Sequence, residues 1–255
     1  MPIRYSGFHA PAPQQTFSPY DGLLLVDKPA GVTSHDVVYK VRKAFGIDKV
    51  GHGGTLDPGA TGLLVILLGK ATKVSDRVMG GDKTYTGVLR LGAETDSQDS
   101  DGDIVARGDV STVTSEALAA AMTSLTGDIY QTPPMVSAIK KDGVRLYDLA
   151  RKGKVVEREQ RFVHIYEYAA IGPMVPADDG LLDVPIRVRC TKGTYIRTLC
   201  HDVGEALGCH GHLSNLRRLK SGKFDVADAL PLADVLALSK EDLVGRILPL
   251  RQIQF

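Results

Sequence analysis

The chain has 255 residues, 43% of them apolar and 24% charged, with a formal net charge of +1. Those values fit an ordinary folded protein and exclude a disordered or collagen-like chain, and three cysteines are too few for a disulfide framework at this length. The longest apolar run, Leu63–Leu68, falls far short of the roughly 20 residues of a membrane helix.

The elements follow in chain order. Residues 1–20 are rich in proline and small polar residues and lack the apolar core of a secretory signal, so a loosely ordered tail on a cytoplasmic, membrane-free protein is expected. GLLLVDKPAG contains a short buried strand, Leu23–Val26, that runs into a Pro-Gly turn. Thr33 or Ser34 caps the next helix, where Val37, Val41 and Phe45 share a face and Gly46 supplies the stop. A glycine-rich loop at 51–54 leads to Asp57 and then to a strand over 63–68. KTYTGVLRLG (83–92) alternates as a half-buried strand, and TSEALAAAMTSLTG (114–127) is a capped, alanine-rich helix.

Between 131 and 160 the chain turns proline-rich and then strongly basic, as an excursion from the core would. RFVHIYEYAAI and DVPIRVRCTKGTYI (183–196) alternate as strands, and RTLCHDVGEALG is a helix ending at Gly208. DALPLADVLALSKEDLVGRILPL forms one or two short helices. Strands and helices alternate without a regular βαβ repeat, so a mixed α+β domain is expected.

The charges are segregated. Lysine and arginine collect in KKDGVR, RKGK, RVRCTKGTYIR and RRLKSGK, and acids in ETDSQDSDGD (94–103), so a neutral total can still present a basic face to phosphates. Asp99, Asp101 and Asp103 lack the glycine and glutamate positions of a calcium loop and fit a hairpin turn. Cys190, Cys200 and Cys209 lie near His201, His210 and His212, but no metal-binding spacing is present and no metal is expected. Ser137 and Ser214 lack the glycines of a nucleophile elbow.

In GGTLDPGATG (53–62), Asp57 is a turn former or a reagent. Tyr85 in KTYTG, with Tyr195 and Arg197 in KGTYIRT, adds two rings and a guanidinium near strand ends or loops, a set suited to a carboxylate acting on a base or sugar. An arginine beside Asp57 is expected to lower its pKa.

VGHGGTLDPGATGLLVILLGKATK resembles the signature of the TruB-type pseudouridine synthases, which isomerise uridine 55 in the T-arm loop of tRNA. LLVDKPAGVTSHDVV, DKTYTGVLRLGAETDSQDSDG, QTPPMVSAIKKDGVRLYDLARKG and CTKGTYIRTLCHDVGEALGCHGHLSNLRRLKSGKF match further family blocks in family order, from about Leu23 to Phe224. The resemblance implies an α+β pseudouridine synthase fold, a mainly antiparallel sheet with flanking helices around an RNA-binding cleft. It implies a catalytic domain over 21–230, a thumb-like insertion at 131–160, and a short C-terminal helical segment, 231–255, without the full RNA-binding domain that many members carry.

It also implies roles by position. Asp57 is the catalytic aspartate, Arg197 its partner, Tyr85 the ring stacked on the uracil, and Tyr195 a residue lining the base pocket. His52 helps to hold the loop and the flipped nucleotide, Leu216 walls the base, and Lys28 and Gly54 are structural residues beside the site. Tyr85 is also a candidate proton acceptor at uracil C5. The expected partner is the tRNA T-arm stem-loop, bound by a monomer without a guide RNA, and an isomerisation that balances atoms and electrons calls for no cofactor. The rival readings are a guide-RNA-dependent enzyme and a non-catalytic RNA-binding module.

Overall fold

The computed structural model describes residues 18–136, 140–141, 144–145 and 156–253. Residues 1–17 of the expected tail, and the greater part of the basic excursion between 137 and 155, lie outside the described residues.

The first half comprises β1 (Gly22–Lys28), α1 (Ser34–Phe45), β2 (Val50–His52), β3 (Thr61–Leu68), a short α2 (Ser75–Met79), β4 (Lys83–Leu91), the hairpin β5 (Ala93–Thr95) and β6 (Ile104–Arg107), α3 (Ser115–Ser124) and β7 (Gly127–Gln131). A two-residue pairing, β8 (Lys140–Lys141) with β9 (Val144–Arg145), stands apart from the main sheet. The second half contains β10 (Arg161–Ala170), β11 (Val175–Pro176), β12 (Leu182–Cys190), α4 (Ile196–Ala206), β13 (Gly211–Ser221), β14 (Phe224–Asp225), β15 (Leu230–Pro231), α5 (Leu232–Ala237), α6 (Lys240–Arg246) and β16 (Leu248–Pro249).

One sheet dominates, with its main path running β15-β1-β3-β13-β4-β12-β10-β7. Its neighbours are antiparallel except at β1–β15 and at the two-residue β3–β13 contact, so the mixed, mainly antiparallel sheet is as expected. The C-terminal segment joins the same sheet, because β15 and β16 both pair with β1.

Burial explains the run LLVILL. Leu64, Ile66 and Leu68 point into the larger core, while Leu63, Val65 and Leu67 point into a second cluster with Leu23, Leu25, Ala71, Val78 and Phe224. A strand covered on both faces needs no polar alternation. Each such side chain contributes about 1.5–3 kcal/mol, which makes β3 a rigid base for the loop before it.

Local signals predict several boundaries well. Thr33 caps α1 through a full capping box with Asp36, and Gly46 ends it at φ 67°. The acidic stretch forms the expected β5–β6 hairpin. The strand expected over 183–196 ends earlier, at Cys190, because Thr191–Thr194 turn the chain so that Tyr195 becomes the N-cap position of α4. β13 had no sequence-based counterpart and stands in the middle of the sheet.

Candidate active site

Between β2 and β3 the chain runs GGTLDPGA (53–60), a loop without regular structure that is fixed at nearly every residue. The Ser34 hydroxyl, at the start of α1, accepts from the Leu56 amide (2.8 Å) and donates to the Leu56 carbonyl (3.0 Å). Gly31 N–H and the Lys28 ammonium both donate to the Pro58 carbonyl, at 3.0 and 3.1 Å. Leu56 and Ala60 are buried apolar anchors. Ala60 N–H donates to the backbone carbonyl of Asp57, so the turn is closed by main chain and the carboxylate is left for other work.

Arg218 on β13 holds the loop from the other side. It is 1% exposed, and its guanidinium donates to the carbonyls of Leu63 (2.7 Å), Thr55 (3.2 Å) and Gly54 (3.1 Å). Two glycines permit this. Gly54 sits at φ 116°, and a Cβ at Gly62 (φ 98°) would collide with the Arg218 backbone where β3 and β13 meet. Arg218 also lies opposite Tyr85 in the β13–β4 register, with its guanidinium N–H groups beside the phenol oxygen. Sequence reasoning missed Arg218 by placing it in a phosphate-facing basic cluster. The correction is that this cluster is largely engaged within the protein, with Arg217 in a bidentate pair with Asp27 and Lys220 3.1 Å from Asp225.

Arg197, one residue into α4, is 4% exposed and fully engaged. Its Nε is 3.1 Å from Asp57 Oδ2 and its Nη1 3.3 Å from Asp99 Oδ2, while Nη1 donates to Ser97 O and Nη2 to Val136 O. The end of α4 that carries it is clamped by the side chain of Gln131, which exchanges hydrogen bonds with the Tyr195 backbone at 2.7 and 2.9 Å. Gln98 adds a bond to Thr198 (3.0 Å).

The electrostatics differ from expectation in one respect. Asp57 has its pKa raised, because burial at the cleft floor, aided by Asp99 and Asp101, outweighs Arg197 and Lys28. The Asp57 side chain nonetheless keeps 41% of its surface open, so a reactant can reach it. Burial also pushes the Tyr85 phenol up and lowers Lys28 and Lys83 to about 8.

Asp57 and Arg197 border a cleft of about 710 Å³ whose walls include Gly54, Tyr85, Tyr195, Leu216 and Arg218. The structure therefore brings together Asp57, Arg197, Tyr85, Tyr195, Leu216 and Gly54. Lys28 lies fully buried beneath the loop, donating to three carbonyls. His52 is not among the lining residues. It stands on β2 with Nδ1 buried and without a hydrogen bond, its pKa lowered by burial and then by Arg218 and His35.

The start of β10 and the turn after β12 complete the cleft wall. Arg161, Phe162 and Lys192 line it, and Tyr130 (69% exposed) packs edge-on to Phe162 (61%) at 5.6 Å. Further along, Arg189 lies 4.5 Å over the exposed Tyr166 ring.

The chain resembles known proteins along most of its length. The model for "TruB family pseudouridylate synthase (N terminal domain)" matches residues 42–196, and that for "tRNA pseudouridylate synthase B C-terminal domain" matches residues 197–253. The chain is 48% identical over 232 residues to tRNA pseudouridine synthase B of Opitutus terrae, covering 91% of this chain and 94% of the relative. It is 46% identical to tRNA pseudouridine synthase B of Geobacillus thermodenitrificans, covering 92% and 78%. Among solved structures, a chain of a Cbf5-Nop10-Gar1 complex superposes with a TM-score of 0.67 at 29% identity, and one of an H/ACA RNP bound to a substrate RNA with 0.66 at 28%. This chain covers 94% and 91% of itself in those two matches but spans only 66% and 60% of the solved chains.

Proposed function

The chain belongs to the TruB family of pseudouridylate synthases, isomerases that modify tRNA, and on that premise we propose that it converts uridine 55 of the T-arm loop to pseudouridine without a guide RNA. One observation carries this reading: an accessible carboxylate, Asp57, held 3.1 Å from a buried guanidinium at a cleft walled by two tyrosines.

The target base is stacked within folded RNA, so it must be extruded, which costs a few kcal/mol. Stacking on an aromatic ring returns about 1–3 kcal/mol, and Tyr85 and Tyr195 are the rings placed to supply it. Leu216 closes the apolar wall. Lys192 and Arg161 at the rim meet phosphates, and the Tyr130–Phe162 pair extends the stacking surface beyond the cleft.

In the reaction the N1–C1′ bond breaks, the uracil turns while held, and C5 joins C1′. C5 loses a proton and N1 gains one, so the product is an isomer and neither an oxidant nor a cofactor enters. Asp57 in its ionised form is the reacting group, whether toward the base, the sugar carbon or a sugar proton, and Arg197 orients it and offsets its burial. Tyr85 is assigned to stacking. Its raised pKa keeps the phenol neutral, which disfavours the phenolate as a base at C5. His52, on β2 beside the Gly54 backbone, is assigned to holding the loop and the flipped nucleotide.

The test is tritium release from unmodified tRNA labelled at uridine C5. Wild-type protein alone releases label at position 55. Asp57→Asn lowers the rate by about 10⁴-fold or more, the scale on which loss of one essential catalytic carboxylate acts, while tRNA binding persists. Turnover retained by Asp57→Asn would remove Asp57 from its role, and release only with an added guide RNA would favour the guide-dependent reading.

A further inference from the structure

A second group of ligand-type side chains gathers toward the other end of α4. His201 and Glu205 are four residues apart and share a helix face. Glu94 on β5 and His210, in the turn before β13, stand against them. His201 Nδ1 is 3.4 Å from Glu94 Oε1, His210 Nδ1 is 3.6 Å from Glu94 Oε2, and His210 Nδ1 is 2.8 Å from Glu205 Oε1. One ligand atom each from Glu94, His201 and Glu205 lie within 4.8 Å of one another.

We propose that Glu94, His201, Glu205 and His210 form a divalent-cation site of the zinc type, which clips the β5–β6 hairpin to α4. Four nitrogen and oxygen ligands at 2.0–2.2 Å around a tetrahedral ion stand about 3.3–3.6 Å apart. The His201–Glu94 separation already matches that spacing, whereas His210 faces the other Glu94 oxygen and must swing inward, its short hydrogen bond to Glu205 must open, and Glu205 must move in as well.

His201 gives an independent sign. Its Nδ1 is shut off from solvent and makes no hydrogen bond, although a carboxylate oxygen lies 3.4 Å away. A buried polar atom in that condition calls for a partner, and a metal ion between the two atoms supplies one. The charge balance points the same way, since Glu94, Glu205 and the neighbouring Asp202 set three carboxylates against two imidazoles. Two imidazoles with two carboxylates suit zinc better than the all-oxygen preference of calcium or magnesium. Side-chain exposures of 22–49% leave the group open to an arriving ion.

The consequence is mechanical. The same hairpin delivers the Ser97 carbonyl and Asp99 to Arg197, and Gln98 to Thr198. A bound ion would tie this hairpin, the helix and the turn at His210 together without touching Asp57. The inference stands apart from the choice of RNA substrate and is read by binding rather than by turnover.

The experiment uses the full chain, free of any histidine tag and stripped with EDTA. Zinc titration by calorimetry is expected to saturate at one ion per chain, and cobalt(II) to give the intense visible bands of a tetrahedral site. Glu94→Gln and His201→Asn are each expected to weaken zinc binding at least about tenfold, and the zinc-dependent rise in Tm seen with wild type is expected to vanish in both. Should His201→Asn fold poorly, Glu94→Gln carries the comparison alone. The proposal is overturned if binding is not saturable, if cobalt shows only the weak bands of octahedral surface binding, or if Glu94→Gln binds zinc as wild type does.

Discussion

Two regions meet at the cleft and are built on opposite principles. The 53–60 loop has no regular structure, yet Ser34, Lys28 and Gly31 on one side and Arg218 on the other fix its backbone. The outer face of β7 and β10 is regular, with Val163, Ile165 and Tyr168 buried, but it presents Tyr130, Phe162 and Tyr166 to solvent. Regular structure is therefore not what makes a region rigid here. Buried hydrogen bonds hold one carboxylate in one place, while the open strand face offers rings and charges that tolerate some latitude. The first arrangement suits chemistry and the second suits grip.

The largest effect that would break this contrast is expected at Arg218. Arg218→Lys keeps the charge but cannot reach three carbonyls with a planar fork, so it leaves buried acceptors unpaired at a cost of about 1–3 kcal/mol each. Displacing Asp57 by about 1 Å would slow turnover about 10²-fold. Steady-state tritium release and thermal melts should show kcat and Tm falling together with KM little changed; a change confined to KM would place Arg218 among the RNA contacts instead.

Next comes the outer face. Phe162→Ala and Tyr130→Ala are each expected to raise KM for tRNA about 5- to 150-fold, from the 1–3 kcal/mol of a lost stacking contact, with kcat and Tm unaltered. Equal losses in kcat would mean that this face shapes the chemical step.

A smaller effect concerns pH. Catalysis needs ionised Asp57, whose pKa is raised chiefly by burial and then by Asp99 and Asp101, so activity should fall as pH drops through that raised value. Asp101→Asn removes one of the raising charges and should move the acid limb of the pH–rate profile to lower pH. A profile that stays fixed would show that Asp101 does not act on Asp57.

The subtlest effect is on stability. Because the folded-state pKa of Asp57 lies above its ordinary value of 3.8, its contribution to stability is full below that value and is lost as pH rises through the raised one. Asp57→Asn, which stays neutral, should melt at or above the wild-type temperature at pH 7, with the gap narrowing in acid. A lower Tm for the variant would mean that the Arg197 pairing outweighs the cost of burying the charge.

Much of this was legible in the chain. Thr33, Gly46 and the valines of α1 announce a helix because capping and periodicity act over a few residues, and LLVILL announces a strand, whose cover on both faces only the fold reveals. The turn at Asp57 is written in the glycines and proline around it, and the family blocks pick out Tyr85, Tyr195 and Arg197. What sequence could not supply is where distant groups meet. Arg218 binds carbonyls 155 to 164 positions away, so its neighbours in RRLKSGK say nothing of its burial. β13 escaped notice because two register shifts and the buried His212, Arg218 and Ser221 break the period-two alternation that marks a strand. The direction of the Asp57 shift also belonged to the tertiary structure, since an arginine partner can be guessed from a motif but the burial opposing it arises only when β2, β3, β13 and α4 converge. Local order follows from short-range sterics and hydrogen bonding, whereas the electrostatics of the site are set by elements that meet only in the folded chain.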